Sequence, residues 1–86
     1  MKTRIALFGA LRDIDAKGYV ELHVPRGSSI GMLRDRLRAH VRAHSPAVET
    51  RLIGASAFAS TDEILHDHRP VPEDGELALL PPVSGG

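Results

Sequence analysis

Only one stretch of this chain repeats apolar residues at helical spacing. Ile30, Leu33, Leu37 and Val41 fall at i, i+3, i+7 and i+11, which makes a single stripe. Arg34, Asp35, Arg36, Arg38 and Arg42 fill the other faces and read as a solvated surface. Ser28 or Ser29 can cap the first turn, although no Glu or Gln stands at the capping-box position. Pro46 disfavours the α region at Ser45, so the helix is expected to stop near His44. A lone amphipathic helix must bury its stripe against something else, and the flanking segments alternate as strands do. The expected class is therefore α+β.

Those strands can be placed in order. Residues 3–9 form the first, with Ile5, Leu7 and Gly9 on one face and Arg4, Ala6 and Phe8 on the other. Residues 10–18 read as a polar connection turning at Lys17-Gly18. In residues 19–24, Val20, Leu22 and Val24 alternate with Tyr19, Glu21 and His23. After the helix come a loop at 47–51, a third strand at 52–59 and a turn at 60–62. A short fourth strand follows at 63–66, and a loop closes on Glu73-Asp74-Gly75. The last strand is 76–80. The order β-β-α-β-β-β predicts a mixed sheet of four to five strands with one main helix, and the first and last strands are the natural central parallel pair. With 86 residues there is room for one small domain, expected over 1–80, with 81–86 as an extended tail.

Composition removes several functions. Without cysteine there is no disulfide, thiolate metal site or cysteine nucleophile. Met1-Lys2-Thr3-Arg4-Ile5 enters a strand directly, with no signal peptide ahead of it, so a cytoplasmic protein is expected. No apolar run approaches the roughly 20 residues that span a bilayer, so no membrane partner is expected. Net charge is zero, yet ten of the eleven basic residues and five of the eleven acidic ones lie up to Leu52. That asymmetry can orient a protein partner. It does not suit nucleic acid, because only Phe8, Tyr19 and Phe58 are available to stack on bases. His40 and His44 are four apart, and His66-Asp67-His68 is compact, but neither group has the three or four ligands of a zinc site. They read as surface histidines, and no metal is expected. Asp62 and Glu63 are adjacent on a strand and face opposite ways, so they make no acid/base pair. No glycine-rich phosphate loop is present.

What remains is the end of the chain. Pro81 and Pro82 keep it extended, and Val83, Ser84, Gly85 and Gly86 follow. Gly85 and Gly86 carry no side chain, which gives a thin probe ending in a carboxylate. A carboxylate becomes an electrophile when joined to AMP as a mixed anhydride. A sulfur nucleophile can then displace the nucleotide and leave a thiocarboxylate.

The run Asp74-Gly75-Glu76-Leu77-Ala78-Leu79-Leu80-Pro81-Pro82-Val83-Ser84-Gly85-Gly86 resembles the C-terminal signature of the small, sulfur-carrying subunit of molybdopterin synthase, a ubiquitin-like β-grasp protein. Phe8-Gly9-Ala10-Leu11-Arg12 resembles the end of that family's first strand, where an aromatic and an arginine recur. The resemblance covers the whole chain. It departs in the middle, where Ala57-Phe58-Ala59-Ser60-Thr61-Asp62 stands in place of a Val-Asn-Gly-like turn.

The resemblance implies a β-grasp fold and a carrier that is not a catalyst by itself. An E1-like adenylating enzyme would use ATP to activate Gly86, and a sulfurtransferase system would convert it to the thiocarboxylate. The tail, with Pro82, Val83, Ser84 and Gly85, would insert into the large synthase subunit, in a heterotetramer. There sulfur would pass to cyclic pyranopterin monophosphate, forming the dithiolene of molybdopterin. No cofactor would be bound permanently. Phe8, Arg12, Leu80 and Pro81 are the expected docking residues, with plain core packing as the other reading of Phe8 and Leu80. The alternatives are a sulfur carrier for thiamin thiazole or cysteine synthesis, and a ubiquitin-like modifier or interaction module.

Overall fold

The computed structural model describes residues 1–83, so Ser84, Gly85 and Gly86 lie outside it. Strand β1 (Lys2–Leu7) pairs antiparallel with β2 (Tyr19–His23), in a register running from Lys2 opposite His23 to Ala6 opposite Tyr19. The long helix α1 (Ile30–His44) follows, then a short helix α2 (Thr50–Ala55) and the strands β3 (Ala57–Ala59) and β4 (Ile64–Leu65). Strand β5 (Glu76–Leu80) inserts between β1 and β3, parallel to the first and antiparallel to the second. The five-stranded sheet therefore runs β2-β1-β5-β3-β4. This is the mixed β-grasp sheet with one main helix that was expected, with the central parallel pair in place.

The core lies between α1 and one face of the sheet. Ile30, Leu33, Leu37 and Val41 are fully buried, as their spacing demands. Opposite them lie Ile5, Leu7, Val20, Leu22, Phe58, Leu65, Leu77 and Leu79, the inward positions of the strands. Ser29 caps α1: its hydroxyl accepts from the Met32 N–H at 3.1 Å. At the other end the Ser45 N–H returns to the Val41 carbonyl, one residue before Pro46.

Four expectations need correction. The first strand ends at Leu7, because Gly9 adopts φ +58° and turns the chain away. The connection after it is not a plain loop. A 3₁₀ helix, Gly9–Ile14, buries Leu11 and Ile14 at i, i+3 spacing, too short a repeat to stand out in sequence. The strand expected at 52–59 is two elements. Residues up to Ala55 form α2, which buries Ile53, and only Ala57–Ala59 extends. Finally, Arg34 is not part of a solvated face. It is 8% exposed and donates to the carbonyls of Ile53 (2.7 Å) and Ser56 (2.6 Å) and to the Asp67 carboxylate (2.9 and 3.1 Å). Its guanidinium also lies 5.1 Å from the Phe58 ring centre. This side chain ties the end of α2 to α1, which is why so short a helix persists where a strand was expected.

Candidate functional site

Because β1 and β5 run parallel, their C-terminal ends meet at one edge of the sheet. Leu7 pairs with Leu79, and both point into the core. One step further along each strand, Phe8 and Leu80 come to the opposite, outer face. Phe8 is 47% exposed and Leu80 is half-buried, so Phe8 lies outside the core. Another step brings Gly9 against Pro81. A Cβ built on Gly9 would meet Cγ of Pro81 at 3.0 Å, so the proline ring where the tail begins fills the space a side chain at residue 9 would take. Pro82 is exposed and Val83, the last described residue, is 94% exposed.

Three of the four expected docking residues, Phe8, Leu80 and Pro81, therefore surround the exit. Arg12 does not join them directly. Its guanidinium reaches the position a Cβ would take on Gly18, at 3.8 Å, which lies toward the β2 side of β1. It shares the end of the sheet with the exit but flanks it from the side away from β5. The reacting end expected from sequence, Ser84, Gly85 and Gly86, falls outside the described residues.

The sheet's outer face adds a feature that sequence reasoning missed. The pairings Tyr19–Ala6, Ala6–Ala78, Ala78–Ala59 and Ala59–Ile64 form a single row across all five strands. Three alanines, Ala6 and Ala78 half-buried and Ala59 only 7% exposed, thus make a low floor between a tyrosine and a 46% exposed isoleucine. The next row toward the exit contains Leu80 opposite Ala57. The signal was present in sequence, since Ala6, Ala57, Ala59 and Ala78 all occupy outward strand positions. It became legible only once the register was fixed. At the Tyr19 end the Arg4 guanidinium sits 4.0 Å from the ring centre, and the Lys17 ammonium lies 5.6 Å away. No layer of the described residues covers this face, and a broad apolar surface with a charged rim is what a protein partner covers.

The histidines do different things from the exit. His40 and His44 bring their ring centres within 4.5 Å on α1. Burial, and then the neighbouring His44, holds His40 below the usual imidazole range. His66 and His68 stack at 6.4 Å, but Asp67 between them is turned to Arg34. Among the described residues no group of three or more His, Asp or Glu side chains is placed to hold a metal ion. Likewise no helix among them is long and apolar enough to cross a membrane.

Comparison with known proteins agrees with this geometry. Over their full lengths, the chain and the crystal structure of SAMP1 from Haloferax volcanii match with a TM-score of 0.70 and 29% identity. A second crystal structure, of the H. volcanii small archaeal modifier protein 1, matches with a TM-score of 0.69 and 27% identity, over 95% of this chain and 98% of that one. No curated protein matches. The sequence model of the ThiS family matches residues 5–86, nearly the whole chain. With its mixed sheet and single long helix, the chain belongs to the ThiS family.

Proposed function

We propose that this protein is a sulfur carrier whose Gly86 is adenylated, converted to a thiocarboxylate, and used to donate sulfur to cyclic pyranopterin monophosphate as the molybdopterin dithiolene forms. The observation that carries the reading is that the family match runs through Gly86, so the tail belongs to what the family shares. The Pro-Pro-Val-Ser-Gly-Gly ending, resembling the small subunit of molybdopterin synthase, favours the pterin as sulfur acceptor.

The chemistry has two steps. The Gly86 carboxylate attacks the α-phosphorus of ATP on an E1-like partner, and pyrophosphate leaves. Sulfide-level sulfur, released from a sulfurtransferase persulfide by a thiol that is itself oxidised to a disulfide, then attacks the acyl carbon, and AMP leaves. The chain supplies shape rather than catalysis. Pro81 and Pro82 hold the tail extended, Gly85 keeps it narrow, and Phe8, Leu80 and the alanine floor give partners a surface to grip. Catalysis of the onward transfer of sulfur to the pterin would lie on a large synthase subunit, in a heterotetramer.

The test is the intact mass of the chain after co-expression with an E1-like adenylating enzyme and a sulfurtransferase. One oxygen replaced by sulfur is expected. Deleting Gly86, or adding one residue after it, should abolish the shift and leave the fold intact. A shift that survives either change would overturn the reading. Co-purification with a thiazole synthase instead of a large molybdopterin synthase subunit would move the carrier to another pathway.

A second reading is favoured by the full-length likeness to a small archaeal modifier. In it, a lysine amine in place of sulfide attacks the activated Gly86 and forms an isopeptide. Lysine-linked conjugates in the same co-expression, without the sulfur mass shift, would select it.

A further inference from the structure

We propose that Gly9 is a positioning residue that sets the direction in which the tail leaves the sheet. Two independent features of Gly9 require glycine. Its φ of +58° lies in the left-handed region. Its missing Cβ would stand 3.0 Å from Cγ of Pro81, closer than the ordinary carbon–carbon contact of about 3.5–4.0 Å. Pro81 is the first residue after β5, so its ring is the hinge between a strand buried in the sheet and an exposed tail. The Gly9 backbone forms a wall on one side of that ring.

The neighbours explain why this wall is firm. Residues on either side of Gly9 are anchored: Leu7 is buried in β1, and Leu11 is fully buried in the 3₁₀ helix, its N–H donating to the Phe8 carbonyl at 3.1 Å. Leu79, two residues before Pro81, is also fully buried. A side chain at position 9 therefore cannot be accommodated by moving either backbone cheaply, and the proline ring must tilt outward. All residues after it would then follow a different path. A partner whose channel accepts the tail in one orientation would read this as misplacement of the reacting end. The inference rests on the carrier reading for its functional consequence, though not for the contact itself.

Gly27 provides a matched control. It has φ +87°, so alanine there is strained in the same way, but no atom lies within 4 Å of its Cβ position. The experiment compares Gly9→Ala, Gly27→Ala, Pro81→Ala and the double variant Gly9→Ala with Pro81→Ala. Removing the proline Cγ relieves the contact while leaving the backbone strain at residue 9. The readouts are the kcat/KM for adenylation by an E1-like enzyme and the NMR shift of the Val83 amide. Gly9→Ala should lower kcat/KM about 10- to 100-fold, the scale of a misplacement of up to about 1 Å. Gly27→Ala should stay within about twofold of the unaltered chain by the same scale, and in the Pro81→Ala background, which carries its own loss, adding Gly9→Ala should cost little more. The Val83 amide should move in Gly9→Ala and not in Gly27→Ala. Equal losses in both glycine variants, a Gly9→Ala loss undiminished in the Pro81→Ala background, or an unmoved Val83 amide would overturn the proposal. If the unaltered chain is not adenylated at all, the carrier reading fails alone, and the Val83 shift still decides the role of Gly9. If Gly9→Ala does not fold, the proposal requires the double variant to fold; its failure to do so would count against the Pro81 contact.

Discussion

At the scale of single residues, Arg34 illustrates how a charge becomes part of a core. Its guanidinium is planar, with five donors in a fixed fork, and here the fork satisfies two backbone carbonyls and one carboxylate. The carboxylate partner, Asp67, is 60% exposed, so the ion pair itself contributes little. The carbonyls matter more: without Arg34 the buried Ser56 carbonyl loses its donor, and that of Ile53 keeps only the longer bond from the Ser56 N–H at 3.3 Å. Arg34→Ala should cost about 1–3 kcal/mol, the cost of one unsatisfied buried group, whereas Asp67→Asn should cost under about 1 kcal/mol. Urea unfolding of the two variants separates these contributions, and equal losses would show that the ion pair, not the carbonyls, is what α2 depends on. A second residue-scale effect concerns pH. His40 faces His44, Asp15 and Lys17, and burial together with His44 favours its neutral form over the attraction of Asp15. Its folded pKa lies below the unfolded value of about 6.5, so the unfolded chain takes up the proton first as the pH drops. The contribution of this group is complete above about pH 6.5 and declines as pH falls below it. The urea midpoint should therefore fall between pH 7.5 and pH 5, and His40→Gln should flatten that decline; an unchanged slope in the variant would assign the decline to other groups.

At the scale of elements, legibility followed how much of each element's stabilisation is local. The stripe Ile30, Leu33, Leu37 and Val41 is long and regular, and α1 lies where it indicates. β5 also matches its expected bounds, 76–80, since Leu77 and Leu79 alternate between a glycine turn and a proline stop. α2 was not legible, because its one buried side chain, Ile53, fits a strand as well as a helix. What decides its conformation is Arg34, about twenty residues earlier in sequence, and no local pattern reports that. The 3₁₀ helix hid in the same way behind two apolar residues. Of the site, Phe8 stood open between docking and core until its exposure decided it, and the point where β5 runs into Pro81 could be read directly. Gly9 and the alanine row could not, because both depend on which strand lies beside which. The same ordering governs local stability. β1 and β5 each have strands on both sides, whereas β4 is a two-residue edge and α2 has six residues. Amide hydrogen exchange should be slowest in β1 and β5 and fastest in β4 and α2. The strand that bears the tail would then be among the last to open, so the exit stays fixed while the edges breathe. Fast exchange at Leu77 and Leu79 would contradict that view.

At the scale of the whole molecule, the chain is a slab of 31 × 30 × 20 Å with two broad faces. α1 covers one sheet face and turns Arg36 and Arg42 outward, and neither makes an ion pair among the described residues. The other sheet face is left uncovered by the described residues, low and apolar in its middle. Two kinds of recognition thus compete: an acidic partner drawn to the helix, or a shape-matched partner seated on the alanine floor. Charge steers encounter and is weakened by salt, whereas a well-packed apolar centre holds a complex together. The floor is also continuous with the exit through Leu80, so a partner gripping it is already beside the tail, while one gripping the helix must reach around the sheet. The floor should therefore govern productive binding. Ala78 lies at its centre, half-buried, with its Cβ on the outer face. Ala78→Arg would place a long charged side chain there without entering the core, so stability should change by less than about 1 kcal/mol. Loading of the tail by an adenylating enzyme should fall at least about tenfold, the size of effect seen for central interface residues. The pair Arg36→Glu with Arg42→Glu should slow encounter at low salt and leave loading nearly unchanged at high salt. If the helix variant loses loading at every salt concentration while Ala78→Arg does not, the partner sits on the helix and the uncovered face serves something else.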